Sequence, residues 1–521
     1  MAVNPSIQLG TSGNWAIKED NLLAYKQLGN KFFDREFDFS RGTRATFVGR
    51  NGLIQESGLT SAELVTNGDF ATDLSGWAIG GTDATNTITW ETNGVRFIST
   101  TNLISIQQSN ILTIGKSYKL TCDVAITTGS IGLDGATSGS SIVMVEGFNE
   151  IYFTAISNYV KIKRITANSN CLLDNVSVQE IQTDVPRIDF TDDPTGHLLL
   201  EPQSTNLFTY SNDFSQWYRP SASVINNVLV SPDGTLNADE FVFDGTNNGR
   251  IEKSVSTTNG LDYTFSIYLK NKDLSDVTQV WIGYSQTAQG QFVTITNEWQ
   301  RFTTTQTANG TNEYPRVNYN GVGSLYAYGA QFEQRSYATS YIPTSGSAVT
   351  RNQELCDNSG TVNDFNSEEG VLYAEIAALA DDGTSRRISL SDGSINNRVS
   401  LEIDETANKI KAFISSGGVS QVLEHTAADL TQNNKIAIKY KLNDMSIWLN
   451  GSEVVTDTSG NMPVGLDRLN FDGGDSNRDF FGKTKNLKVF KRALTDTELY
   501  LLTVTQYQSY QEMATALNYT L

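Results

Sequence analysis

The chain has 521 residues, 38% hydrophobic and 10% aromatic, enough apolar material for several cores in roughly three or four domains. Its formal charge is −20 with no basic stripe, which excludes nucleic acid as a partner because phosphate binding needs clustered Lys and Arg. No run of about 20 apolar residues is present, which excludes a membrane-spanning helix.

The first segment, residues 1–62, reads as mixed. Residues 21–33 (NLLAYKQLGNKFF) predict one short helix broken at Gly29. Asn51-Gly52 lies between the apolar runs ATFV and LIQ, which predicts a hairpin turn with both central residues at positive φ. This segment is expected to serve attachment or oligomerisation. MAVNPSIQLG has neither the basic nor the apolar run of an export signal.

Residues 63–182 read as a first sandwich. It opens at LVTNGDF, reaches Trp77, and alternates through residues 94–98, 117–124, 149–153 and 159–165 before closing in CLLDNVSV. Cys122 and Cys171 fall in its strand-like runs and either pair or stay as buried thiols. With Cys356 they match no zinc spacing. Arg187 to Phe190 and Leu198 to Leu200 flank a DDPTG turn and predict a hairpin. RGTRATFVGRNGLIQ and LLLEPQSTNLFTYSNDFSQW resemble a segment of bacteriophage virion proteins in which the RATF hairpin and this one lie closer in sequence, and the resemblance implies that residues 63–182 are a module inserted in a loop, which closure entropy tolerates.

Residues 183–351 hold that hairpin and a second sandwich, in which NDFSQW echoes the NGDF…W of the first. Its strands are predicted at residues 263–269, 280–284, 299–303 and 324–332. Residues 352–505 read as a third sandwich. There KIAIKY (435–440) pairs with MSIWL (445–449), Asn450-Gly451 makes a turn, and Thr495 with Glu498 forms a capping box. Leu499, Leu502, Gln506, Tyr510, Met513 and Leu517 share helical spacing, so residues 506–521 are expected to continue as a helical tail. The fold class is all-β: tandem antiparallel β-sandwiches of jelly-roll type, with a short N-terminal mixed segment and a C-terminal helix.

LLLEPQSTNLFTYSNDFSQW (198–217), TSYIPTSGSAVTR (339–351) and RGTRATFVGRNGLIQ (41–55) together resemble a β-sandwich segment common in tail-fibre and other virion proteins of bacteriophages. The two ends of the first sandwich, NGDF…GW and LLDNVSV, resemble jelly-roll carbohydrate-binding modules. FGKTKNLKVFKRALTDTEL resembles the last strand and short helix of concanavalin-like laminin-G sandwiches. These resemblances imply a non-enzymatic virion appendage (tail fibre, tail spike or head fibre) on the virion surface. It would be a homo-oligomer, a trimer in the simplest case, joined to other virion proteins through its N-terminal segment and binding host-surface glycan. The alternative is capsid decoration or fibre scaffolding without sugar binding.

His197 and His425, the two histidines, lie in no nucleophile motif, so no catalytic site is expected. Sugar binding needs an exposed aromatic with a polar tip, and Trp90, Tyr218, Trp281 and Tyr284 are the candidates, each with core packing as the alternative. Trp77, Trp217, Trp299 and Trp448 are assigned to packing. Asp472, Asp475 and Asp479 lie in one glycine-containing loop and are candidate calcium ligands, the alternative being a plain solvated loop.

Overall fold

Side-chain alternation builds the layers. In the strand Ser117–Thr128 the positions Tyr118, Leu120, Cys122 and Val124 are buried while those between them are half-exposed, so one face packs and the other meets water. The same period runs through an all-β chain of antiparallel sheets with one short helix, Asp496–Thr503, near its end. The structure, a computed structural model, describes residues 4–504 except 14, 19–20, 29–30, 59–60, 93, 135–140, 247, 274–276 and 285–289. None of the described helices is long and apolar enough to cross a membrane.

The chain divides into two units, Glu56–Thr183 and the remainder, Met1–Gln55 with Asp184–Leu521. The Glu56–Thr183 unit is a sandwich of two five-stranded sheets around one core. Phe70 and Trp77 plug that core with ring centroids 5.6 Å apart, and the Trp77 indole donates to Asn67 O at 3.0 Å. Its two ends meet where Gln182 N donates to Gly58 O at 2.7 Å. Gly58 has φ +104°, and a Cβ there would sit 1.7 Å from Gln182 O, so only glycine lets the chain enter and leave at one place. Cys122 and Cys171 are buried free thiols, as is Cys356.

The larger unit carries two further sandwiches. In one, a five-stranded sheet centred on Val322–Glu333 packs on a four-stranded sheet ordered Arg250–Glu252, Arg316–Asn318, Gln279–Gly283 and Gly290–Thr294. Phe214 and Trp217 fill the slot taken by Phe70 and Trp77 in the first sandwich, and Trp217 donates to Tyr210 O at 3.0 Å. In the other, Gly482–Phe490 and Glu369–Ala378 centre a large sheet facing a five-stranded one. Lys435 to Tyr440 pairs with the Met445–Leu449 strand as expected, with Ile438 opposite Ile447. Asn450 (φ 48°) and Gly451 (φ 87°) form the predicted turn.

Two expectations change. Residues 21–33 are not helical: Asn21–Leu28 and Lys31–Glu36 are antiparallel strands with Leu28 opposite Lys31. Antiparallel pairing along the full length of both strands outweighs weak helix propensity. Within the N-terminal segment, Ile7–Leu9 joins the large sheet by pairing with Gly482–Phe490. At Asn51-Gly52 only Gly52 takes positive φ, because the turn closes from Gly52 N to Gly49 O one residue earlier. The 506–521 tail lies outside the described residues.

The phrases that carried the phage resemblance converge on one buried ion network. The Arg187 guanidinium contacts Glu354 and Glu201, Arg351 contacts Glu201, and Arg41 contacts Glu354 at 2.7 Å, with all five side chains almost fully buried. Arg187 also donates to Thr46 O and to Ser340 Oγ, both at 2.7 Å. The network thus ties residues of RGTRATF, PRIDF, LLLEP and TSYIPTSGSAVTR into one clasp. Burial costs each of these charges several kcal/mol, which mutual pairing offsets.

Candidate functional site

The strand Gln279–Gly283 decides what the second sandwich shows to solvent. Val280 and Ile282 point into the core, and Tyr284 follows on the same parity, 0% exposed. Tyr284 Oη donates to Tyr263 O at 2.5 Å inside that core. Of the two readings open for Tyr284, sugar stacking and core packing, the structure takes packing; burial pushes its phenol well above the ordinary range. Trp281, on the opposite parity, faces outward.

The strands beside it complete an outer face. Trp281 lies directly opposite Phe292 on one side and Asn318 on the other, and Asn318 lies opposite Arg250. Two residues along, Gly283 stands opposite Gly290 and Arg316, and Arg316 opposite Glu252. Phe292 is 68% exposed. A Cβ at Gly290 would lie 2.3 Å from the Trp281 ring, so the absent side chain is what lets the indole lie along the sheet. The Arg316 guanidinium sits 5.3 Å from the Trp281 ring centroid.

Polar groups converge next to these rings. Glu252 Oε2 accepts from Arg250 Nε at 2.9 Å and from Arg316 Nη1 at 3.4 Å. Arg316 is pulled below its ordinary pKa, first by burial and against the Glu252 charge. Its Nε and the Asn318 Oδ1 are buried without a partner. Tyr218 bridges to Glu252 at the outer edge, 62% exposed, with the Arg250 guanidinium 5.6 Å from its ring. With strands about 4.8 Å apart, Tyr218 and the Trp281 strand bracket a span of about 14 Å. The arrangement stacks flat apolar rings and offers guanidinium, carboxylate and amide groups between them. It suits a polyhydroxylated ligand laid across the strands.

Two of the four candidate aromatics, Tyr218 and Trp281, thus share this face. Trp90, in the Glu56–Thr183 unit, is 40% exposed, but its indole N–H is already donated to Phe70 O at 2.6 Å. Trp77, Trp217 and Trp448 are buried as assigned, whereas Trp299 is half-buried, packs beside Ile54 and Tyr341, and donates to Val230 O.

The loop that carries the candidate calcium ligands Asp472, Asp475 and Asp479 hydrogen-bonds largely to itself. Asp472 is buried and spends its two oxygens on its own turn, accepting from Gly474 N at 2.6 Å and Ser476 N at 2.8 Å. Asp475 holds the Asn477 amide at 3.2 Å. Among the described residues no group of three or more His, Cys, Asp or Glu side chains is placed to hold a metal ion. His197 is buried, and desolvation pulls its pKa down to about 4 against the attraction of Asp189, whose Oδ1 lies 3.7 Å away.

No protein-family model matches the chain, and no curated protein matches it. Among solved structures, the CBM40 module of a Ruminococcus gnavus IT-sialidase aligns at 16% identity over 29% of this chain and 94% of its own, with a TM-score of 0.24. The tandem CBM22 domain of Paenibacillus barcinonensis Xyn10C aligns at 9% identity over 54% of this chain and 98% of its own, TM-score 0.20. Trypanosoma rangeli sialidase aligns at 10% identity over 89% of this chain and 98% of its own, TM-score 0.22. At such scores no ligand or activity transfers from these proteins to this one.

Proposed function

We propose that this chain is a glycan-binding, non-catalytic component of a phage virion appendage, and that the outer face around Trp281 touches the glycan. The observation that carries the glycan reading is the pairing of an outward Trp281, lying over Gly290, with exposed Phe292 and the Arg250, Arg316 and Asn318 side chains. An exposed ring stacks on a sugar face while the polar groups take its hydroxyls. The virion reading rests on the wording of residues 41–55, 198–217 and 339–351. Identical chains in an oligomer would turn weak single sites into firm attachment through effective concentration.

The test is binding of the intact protein to host cells and to an array of their surface glycans, with Trp281→Ala beside it. Binding that drops at least about tenfold in the variant supports the reading, an effect of about 1.4 kcal/mol. Equal binding by both proteins removes this face from the function. Immunogold labelling of the particle decides the virion assignment separately.

A further inference from the structure

The face around Trp281 is more cationic than the rest of this chain allows one to expect. The whole protein carries −20. Yet Arg250 and Arg316 both lean on a single carboxylate oxygen, Glu252 Oε2. Two more cations, Arg219 and Lys253, follow Tyr218 and Glu252 in the chain. Arg219 spends Nη1 on the backbone carbonyls of Phe214, Ser215 and Trp217, and Lys253 donates to Gln216 O at 2.9 Å. Neither forms an ion pair with a described carboxylate. Two guanidinium groups on this face therefore share one carboxylate.

Nor is the hydrogen bonding finished. Arg250 uses Nε and Nη1, Arg316 uses Nη1 alone, and Nη2 of both makes no bond to a described residue. Both guanidinium groups reach the same Glu252 oxygen and so lie side by side on this face. A guanidinium fork binds carboxylate or phosphate in two-point fashion more strongly than it binds a hydroxyl.

We infer that the site selects an anionic sugar, with the acidic group of the glycan seated on Arg250 and Arg316 while a ring stacks on Trp281. This inference rests on the glycan-binding reading and narrows it. The anion serves both as a counter-charge to the cation excess and as an acceptor for the open guanidinium edges. A neutral glycan offers those edges only uncharged hydroxyl acceptors, which bind a guanidinium more weakly.

Three polymers of matched length test it by calorimetry on the intact protein: a polyuronate, its carboxyl-reduced neutral counterpart, and a phosphorylated dextran. The expected result is at least about tenfold tighter binding of an acidic polymer than of the neutral one, the scale of one charge-assisted hydrogen bond. The two acidic arms distinguish carboxylate from phosphate. Raising salt about tenfold should shrink the preference, because partly exposed charges are screened. Arg316→Gln and, independently, Arg250→Gln should each lower affinity for the acidic polymer several-fold more than affinity for the neutral one, whereas equal losses for both polymers overturn the acidic preference. Circular dichroism confirms that each variant is folded. Equal, Trp281-dependent affinity for all three polymers overturns the acidic preference and leaves the glycan reading standing. No Trp281-dependent binding to any of them overturns both.

Discussion

Arg187 and Glu354, 167 positions apart in the chain, form a two-point ion pair from which solvent is fully excluded. Arg187 Nε donates to Glu354 Oε1 at 2.8 Å, and Nη2 reaches Oε2. Glu354 serves Arg41 as well and accepts from Glu201 N at 2.9 Å. One carboxylate thus closes the clasp between the hairpin at Arg187–Asp189, the corner after Leu200, and the strand entering the third sandwich.

Glu354→Gln should therefore be costly. It leaves Arg41, Arg187 and Arg351 facing Glu201 alone, and breaking a buried pair of this kind costs about 3–5 kcal/mol. Glu180→Gln, which removes the exposed partner of Lys116, should cost at most about 1 kcal/mol. Thermal melting of the intact chain compares the two. A Glu354→Gln protein that melts with the Glu180→Gln protein would show the network to be dispensable.

Acid should open the same clasp. Glu201 is held down to about 2 by Arg351 and Arg187 against its burial, and Glu354 is likewise lowered. Both groups bind protons less readily folded than unfolded. Their stabilisation is therefore complete above the unfolded value near 4.5 and is lost as pH falls from there toward about 2. Melts recorded from pH 5 down to pH 2 should show stability falling across that window, and Glu201→Gln should flatten the fall. A wild-type melting temperature unchanged over the window would contradict the assignment.

Asp357 predicts the opposite sign. It stands directly opposite Asp38 across two strands, and burial with Asp472 and Asp479 pushes it up to about 7. The folded chain therefore holds this proton more tightly than the unfolded one. The penalty of the charged form is full above about pH 7 and fades as pH falls toward the unfolded value of 3.8. Asp357→Asn keeps an acceptor for Phe471 N, now at 3.1 Å, and removes the repulsion. It should raise the melting temperature at pH 8 and do little at pH 4. A variant less stable than wild type at pH 8 would show that the charge is needed.

The Glu56–Thr183 unit has its own core, from Val65 and Phe70 to Val178, and its ends are joined by the Gln182–Gly58 hydrogen bond. Residues 56–183 expressed alone should therefore unfold in a single cooperative transition. Gly58→Ala should destabilise that fragment by more than about 1 kcal/mol, since a Cβ collides with Gln182 O. A disordered fragment, judged by amide dispersion in its NMR spectrum, would refute the idea of an independent core.

What the sequence yielded depended on how local the signal was. The Asn450-Gly451 turn and the Thr495–Glu498 capping box involve neighbours only, and both form. The failure at residues 21–33 has the opposite cause: the pairing of Asn21–Leu28 with Lys31–Glu36 and with the strands beside it is set by sheet order, which a local reading does not contain. Asp472 looked like a ligand because spacing shows carboxylates but not which backbone N–H groups claim them. Arg250, Arg316 and Asn318 were missed altogether. They sit on strands three residues long whose neighbours are fixed by sheet order, and three-residue strands carry almost no periodic signal.

Trp281 and Tyr284 put that lesson to a direct test, because parity alone separates them. They lie three residues apart, so one faces out and the other in, and the apolar pair Val280 and Ile282 already marks the inner face. Trp281→Ala removes an outward ring beside Phe292 and Arg316; it should abolish glycan binding while shifting the melting temperature little. Tyr284→Phe keeps the buried ring but loses the hydrogen bond to Tyr263 O. It should cost about 1 kcal/mol of stability and leave binding unchanged. The pair of variants gives a crossed pattern that no general loosening of the sandwich can imitate. Binding lost in Tyr284→Phe and retained in Trp281→Ala would place the ligand elsewhere than on this face.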